Sequence, residues 1–259
     1  MLQEERQQLI LQWLKENQSV RIAELCNNLN VTRETIRRDL YELEQKGLLK
    51  KVHGGAILNQ TNVEPPYAKR SVLNLDEKEA IAVAAASYVE DGDAIYIDLG
   101  TTTLLFAKQL LEKKGITVIT NALLVALELS KNPHAKVIMS GGELRSGELA
   151  LSGPVARKSL EPFYVDKAFI GAGGLSMESG FTDYHVGESD VRQLMLKNAK
   201  ETYALLDHSK INVTAFTKVA ELTDIDVVIT DSGAPQSTLQ QLEEKGLQIV
   251  VVDMQTKNE

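Results

Sequence analysis

Apolar positions follow two rhythms along this chain. In the first sixty residues the spacing is helical. Leu9, Ile10, Trp13 and Leu14 predict an amphipathic helix over 3–17, with Trp13 in the core. Asn17-Gln18-Ser19 interrupts it. Ile22, Leu25 and Leu29 form a shorter stripe, with Cys26 filling core space, and Asn27, Asn28 and Asn30 cluster where a tight turn belongs. Thr32 reads as an N-cap, flanked by Val31 and Ile36 at the two positions of a hydrophobic staple. Ile36, Leu40 and Leu43 continue the stripe, and Gly47 follows the last turn as a C′ glycine. Two short apolar runs around His53-Gly54-Gly55 then predict a β-hairpin.

Further on, short apolar runs at 94–97, 116–119, 136–139, 167–170, 226–230 and 248–252 alternate with helical stretches. Asp76-Glu77-Lys78-Glu79 has the form of a capping box ahead of a helix to about Val89, and 104–111 reads as another helix. Strands alternating with helices predict a largely parallel sheet covered on both faces. Between the two rhythms lies a polar stretch ending in Pro65-Pro66, which suits an extended linker. The expected organisation is a first domain over 1–58, a linker over 59–70 and a second domain over 71–259.

Composition is that of an ordinary globular chain: 259 residues, 43% hydrophobic, 25% charged. No window approaches the roughly 18 apolar residues of a membrane span, and one cysteine forms no internal disulfide, so a cytoplasmic protein is expected. The net charge of −8 argues against a general nucleic-acid binder. Its distribution argues otherwise. Residues 1–60 hold nine Lys/Arg against eight Asp/Glu, a net of +1, and the remainder hold nineteen against twenty-eight, a net of −9.

The basic residues of the first domain are concentrated. Arg33 and Arg37 share one face of the third helix, opposite its apolar stripe, with Arg38 beside them and paired i,i+4 with Glu34. Lys50, Lys51, His53 and Gly54 lie on the hairpin or at its tip. Three helices with a basic third helix and a basic hairpin describe a winged helix-turn-helix, which places that helix in the major groove. Arg33 and Arg37 suit guanine edges and phosphates alike, and Thr32 and Thr35 reach either near the helix start.

In the second domain, Asp98-Leu99-Gly100-Thr101-Thr102-Thr103 joins a strand to a helix N-terminus. Free N–H groups, the helix dipole and threonine hydroxyls converge there, so a phosphate is the natural occupant. Several other strands also end in small or polar residues, where ligands of such sheets bind. Gly171-Ala172-Gly173-Gly174 lacks dinucleotide spacing because position 176 is Ser. The four histidines are scattered, no nucleophile elbow occurs, and Asp207-His208 reads as a loop pair. No cofactor, metal site or catalytic residue is expected.

Residues 31–40 (VTRETIRRDL), Leu43-Glu44, Gly47 and His53-Gly54-Gly55-Ala56 resemble the DeoR family of bacterial transcriptional regulators. Two positions depart from its pattern. Arg21 stands where a Ser or Thr commonly caps the second helix, and Lys51 where Arg is common. The second domain resembles the family's sugar-phosphate sensor from about Tyr67 to Asp231, through Lys69-Arg70, the 98–103 loop, Thr120-Asn121, Gly141-Gly142, Asp207 and Lys210. The resemblance implies an α/β chain: a small winged helix-turn-helix joined to a larger Rossmann-like domain similar to ribose-5-phosphate isomerase, glucosamine-6-phosphate deaminase and CoA transferases. It further implies that Gly100, Thr101, Thr102 and Thr103 hold a phosphate, with Arg145 adding charge. Asp98, Asn121, Gly141, Gly142, Glu188 and Lys210 would line the sugar.

The expected function is a DNA-binding repressor of a carbohydrate-metabolism operon, released by a phosphorylated sugar and acting as a dimer or tetramer away from any membrane. The alternative is an isomerase-, deaminase- or transferase-type enzyme with a winged-helix appendage, motivated by Asp98, Glu188 and Asp207. No acid/base pair stands at motif spacing, so the regulator is preferred.

Overall fold

The computed structural model describes residues 3–17, 19–45, 49–52, 54–58 and 64–253, the side chains of 4, 15–17, 45, 57 and 58 excepted. Gly47 and His53, singled out above, lie outside the described residues. The chain divides into two units, Met1–Thr61 and Asn62–Glu259.

The first unit follows the predicted order with one addition. Its elements are α1 (Gln3–Asn17), β1 (Ser19–Arg21), α2 (Ile22–Leu29), α3 (Arg33–Gln45), β2 (Leu49–Val52) and β3 (Gly55–Leu58). Ile10, Leu14, Leu25, Leu29, Ile36, Leu40 and Leu43 form its core, with Trp13, Cys26 and Val31 partly buried against it. Asn30 ends α2 in the left-handed region (φ 52°), returning its N–H to the Cys26 carbonyl. Arg21 precedes α2 and makes no side-chain cap bond, as its lack of an acceptor requires. The interruption expected at residue 19 is strand β1, which pairs antiparallel with β3, so the hairpin is the outer part of a three-stranded sheet ordered β1-β3-β2. Gly55 permits this closure: a Cβ there would stand 2.1 Å from the Val20 carbonyl oxygen.

The second unit begins before the expected linker ends. Glu64 already belongs to it, and α4 (Tyr67–Val72) overlaps the segment assigned to linker. Helix α5 (Leu75–Ala86) does not start at the expected capping box. Asn74 precedes it in the left-handed region, and Asp76 sits inside the first turn, where its charge favours the helix dipole.

Then follow β4 (Ala94–Ile97), α6 (Thr101–Lys108), β5 (Thr117–Thr120), α7 (Leu123–Leu129) and β6 (Lys136–Met139). A short hairpin, β7 (Glu143–Arg145) and β8 (Ala150–Ser152), leads to α8 (Gly153–Leu160) and β9 (Val165–Ile170). After β10 (Gly174–Ser176) and β11 (Gly180–Asp183) come α9 (Val186–Lys197) and β12 (Ala199–Leu205). The chain closes with β13 (Thr217–Ala220), β14 (Val227–Asp231), α10 (Gln236–Glu244) and β15 (Gln248–Val252).

Seven strands form one sheet ordered β15-β14-β12-β9-β4-β5-β6, every neighbouring pair parallel. Alternate residues of a strand serve opposite faces. Ile95 and Ile97 pack with α5, α6 and α7 residues such as Ile81, Phe106 and Val125. Tyr96 packs on the other face with Leu160 of α8 and Val191 of α9. A separate antiparallel sheet, β10-β11-β13, flanks this core. No described helix is long and apolar enough to cross a membrane.

Candidate functional site

In the first unit, Thr32 accepts the Thr35 N–H at 3.2 Å through Oγ1, the expected N-cap bond, and so sets the start of α3. Ile36, Leu40 and Leu43 then face inward, leaving Arg33, Arg37 and Arg38 exposed. The expected Glu34–Arg38 pair is not the one formed. Arg38 lies 3.4 Å from Glu42, and Arg37 lies 3.9 Å from Glu34, both in solvent. Such pairs are loose and worth little, so phosphates compete readily for these cations. Lys50 and Lys51 are exposed on β2, and Lys51 Nζ sits 5.1 Å from the Tyr41 ring centre. Gly54 turns the hairpin with φ 83°. The residue sequence reasoning missed is Asp39. Its buried carboxylate accepts from Arg6 Nε at 2.5 Å and Arg6 Nη2 at 3.0 Å, locking α3 to α1. The arginine triplet pattern drew attention to the exposed face of α3 and away from its buried acid.

In the second unit the sheet order sets the site. The chain runs outward through β4, β5 and β6, returns to place β9 beside β4, and runs outward the other way through β12, β14 and β15. The switch point therefore lies between β4 and β9, and the loops beyond their carboxyl ends diverge to leave a crevice. A cleft of about 450 Å³ opens there. It is lined by 99–103 after β4, 171–173 after β9 and 207–210 after β12, with Asp183, Tyr184 and Arg192 opposite and Glu64, Arg70, Asn74 and Lys78 along one side.

Five of the expected effector residues line this cleft: Gly100, Thr101, Thr102, Thr103 and Lys210. Gly100 holds φ 148° at the N-cap of α6, and the first intrahelical bond is Leu104 N–H to the Gly100 carbonyl. The N–H groups of Thr101 to Thr103 precede that bond and remain available to an anion. Thr103 Oγ1 donates to the Gly100 carbonyl at 3.1 Å, which fixes the turn.

The other six stand outside the lining, each for a packing reason. Asp98 is fully buried beneath the loop. Its Oδ2 accepts from Arg192 Nε at 2.5 Å and the Gly171 N–H at 3.2 Å. Arg192 also bonds Asp183 through Nη1 at 2.5 Å. Burial pushes the Asp98 carboxyl up, against the pull of Arg192, and the carboxylates on both sides raise the Arg192 guanidinium despite its burial. Asn121 is fully buried and donates to the Leu151 carbonyl at 3.1 Å. Gly141 donates its N–H to Ser159 Oγ at 3.3 Å, and Gly142 (φ 119°) packs against the Ser152 carbonyl and Ala156. Arg145 is engaged by Glu64 and by Glu188, whose Oε1 lies 2.7 Å from Arg145 Nε without the alignment of a hydrogen bond. Burial pushes the Glu188 carboxyl up to about 7.

Several cleft residues carried no local signal. Lys78 is buried and donates to the Arg70 and Leu73 carbonyls, and burial lowers its ammonium pKa. Asp207 does not pair with His208. It accepts from Asn74 Nδ2 at 2.8 Å and from Ser209, bonds that hold its carboxyl below the usual range in spite of burial. His208 Nδ1 instead lies 2.7 Å from Asp231, at the end of β14. A residue 23 positions away in sequence gives no motif to find. Among the described residues no group of three His, Cys, Asp or Glu is placed to hold a metal ion.

Two family models match the chain: a DeoR-like helix-turn-helix domain over residues 6–62 and a DeoR C-terminal sensor domain over 73–232. An uncharacterised regulator of Bacillus subtilis (strain 168), YulB, is 37% identical, covering 98% of each chain. The glycerol-3-phosphate regulon repressor of Escherichia coli (strain K12) is 30% identical over 96% of this chain and 99% of that one. Ribose 5-phosphate isomerase A from Methanocaldococcus jannaschii matches 53% of this chain and 55% of its own at 22% identity and a TM-score of 0.41, too slight a likeness to build on. With both halves matched in order and full-length relatives regulating transcription, the chain belongs to the DeoR family of helix-turn-helix transcriptional regulators.

Proposed function

We propose that this regulator binds operator DNA through α3 and the β2–β3 wing, and that a phosphorylated sugar or polyol in the second unit's cleft releases it. Arg33 and Arg37, with Thr32 and Thr35 at the helix start, contact the major groove; Lys50, Lys51 and His53 contact the adjoining backbone. The observation that carries the effector reading is the start of α6. Three consecutive threonines present free N–H groups, and Thr101 and Thr102 their hydroxyls, in a cleft that also holds Lys210, Lys78 and Arg70. A domain of net −9 cannot attract an anion by its overall field, so local donors must do it. The cleft's Asp183, Asp207 and His208 suit the hydroxyls of a sugar. Operator binding needs two or more copies, because one small module makes few phosphate contacts and linked modules gain effective concentration. A dimer or tetramer of a carbohydrate-operon repressor follows.

The test is a thermal-denaturation screen of the full chain against phosphorylated sugars, their unphosphorylated parents and inorganic phosphate. Phosphorylated compounds are expected to raise the melting temperature with concentration, and their parents are not. A parallel NMR time course is expected to show no turnover. Conversion of any compound would replace the regulator by an enzyme, and a screen without phosphate-dependent stabilisation would remove the effector reading.

A further inference from the structure

The chain entering the second unit closes one side of the cleft. Glu64, Pro65 and Arg70 line it, and Glu64 stands six residues beyond Leu58, the last residue of β3. The segment from Glu64 to Leu73 is fastened by charge. Glu64 Oε1 lies 2.9 Å from Arg70 Nη2, and Glu64 Oε2 accepts from Arg145 Nη2 at 2.8 Å. Arg70 Nε donates to the Pro65 carbonyl at 2.9 Å, and its Nη2 also bonds Glu148. Apolar packing contributes little: no residue of α4 is buried, and Val72 and Leu73 are exposed.

Carboxyl groups outnumber guanidiniums in this fastening. Three carboxyl groups, Glu64, Glu148 and Glu188, share two guanidiniums, Arg70 and Arg145. Glu148 and Glu188 are buried and lie outside the cleft lining, whereas Glu64 lines it. Of the three, Glu64 is the carboxylate that faces the cleft. A phosphate monoester carries about −1.5 to −2 charge and three strong acceptor oxygens, against one charge and two oxygens on Glu64.

We propose that Glu64 is an internal stand-in for the effector's anion. Its carboxylate holds Arg70 until the ligand's anionic group takes Arg70 from it, and the Glu64–Leu73 strap is thereby released. This rests on the phosphate reading above. It places the effector's differential affinity, which any ligand-driven shift requires, in one residue next to the segment that joins the two units.

The experiment uses the full-length chain, inorganic phosphate as probe, and Glu64→Gln, which keeps shape and removes charge. Calorimetry is expected to show phosphate binding Glu64→Gln about tenfold more tightly than wild type, the change for removing one competing charge-assisted hydrogen bond. Hydrogen exchange of peptides over 64–73 is expected to speed up when phosphate is added to wild type. Unchanged or weaker binding by Glu64→Gln overturns the stand-in, as does protection of 64–73 by phosphate in wild type. The exchange measurement needs no variant and stands even where Glu64→Gln folds poorly. Wild type that binds no phosphate sinks the phosphate reading itself, a result distinct from either.

Discussion

Thr102 shows how little a single side chain must do in the anion site proposed above. Its hydroxyl and N–H stand in the first turn of α6, where the helix leaves its backbone donors unpaired, and Thr101 and Thr103 add their own N–H groups. Thr102→Val keeps the β-branched shape and removes only the hydroxyl. Effector affinity is expected to fall about tenfold, the effect of one hydrogen bond to a charged group, while the unliganded melting temperature stays within a degree or two. Calorimetry with a stabilising sugar phosphate, beside a ligand-free melt, checks both. This residue was legible from sequence, because strand, glycine and threonines lie within one short window. Arg192 was not. Its two carboxylate partners come from the residue after β4 and the last residue of β11, and nothing near Arg192 in the chain announces them.

At the scale of elements, legibility followed the continuity of apolar residues. Strand β4, buried inside the sheet, and β6, a partly exposed edge strand, both read as short apolar runs and were placed to the residue. Strand β12 was missed although it lies near the middle of the sheet, because its first half carries exposed Lys200 and Glu201. Strands β1, β7, β8 and β10 have three residues each, too few for a period to show. The pairing of α1 with α3 was hidden too, since Arg6 and Asp39 are 33 positions apart. Removing one partner of a buried pair strands the other, so Asp39→Asn is expected to destabilise the first unit by about 3 kcal/mol. Trp13 is the chain's one tryptophan and lies in that unit, so urea unfolding followed by tryptophan fluorescence reads the loss there.

Over the whole molecule the informative quantity is where charge is placed. A unit of +1 presents Arg33, Arg37, Lys50 and Lys51 outward, and a unit of −9 is repelled by a phosphate backbone. Non-specific binding is thereby kept weak, and specific binding depends on a few local contacts. Operator affinity is expected to fall by about 0.9 log units per log unit of salt for each phosphate neutralised. Arg37→Ala is expected to weaken binding and to flatten that slope by about one contact. Anisotropy titrations of a selected operator at several salt concentrations measure both. Wild-type affinity that ignores salt would remove α3 and the wing as the DNA surface.

The amino-acid sequence by itself determined the two-part plan, the third helix with its basic outer face, the parallel α/β class and the strand–glycine–threonine loop at 98–103. Each of these is a property of a short window: periodicity, a cap, a glycine followed by threonines. Tertiary structure alone decided which strand ends face one another and which charges meet. The order β12-β9-β4 brings the 207–210, 171–173 and 99–103 loops to one cleft, and leaves Asn121 and the Gly141-Gly142 turn outside its lining. It sets Asp98 under Arg192, and His208 against Asp231 instead of its neighbour. Those partners are chosen by strand order and by the cost of burying an unpaired charge, neither of which a local pattern encodes.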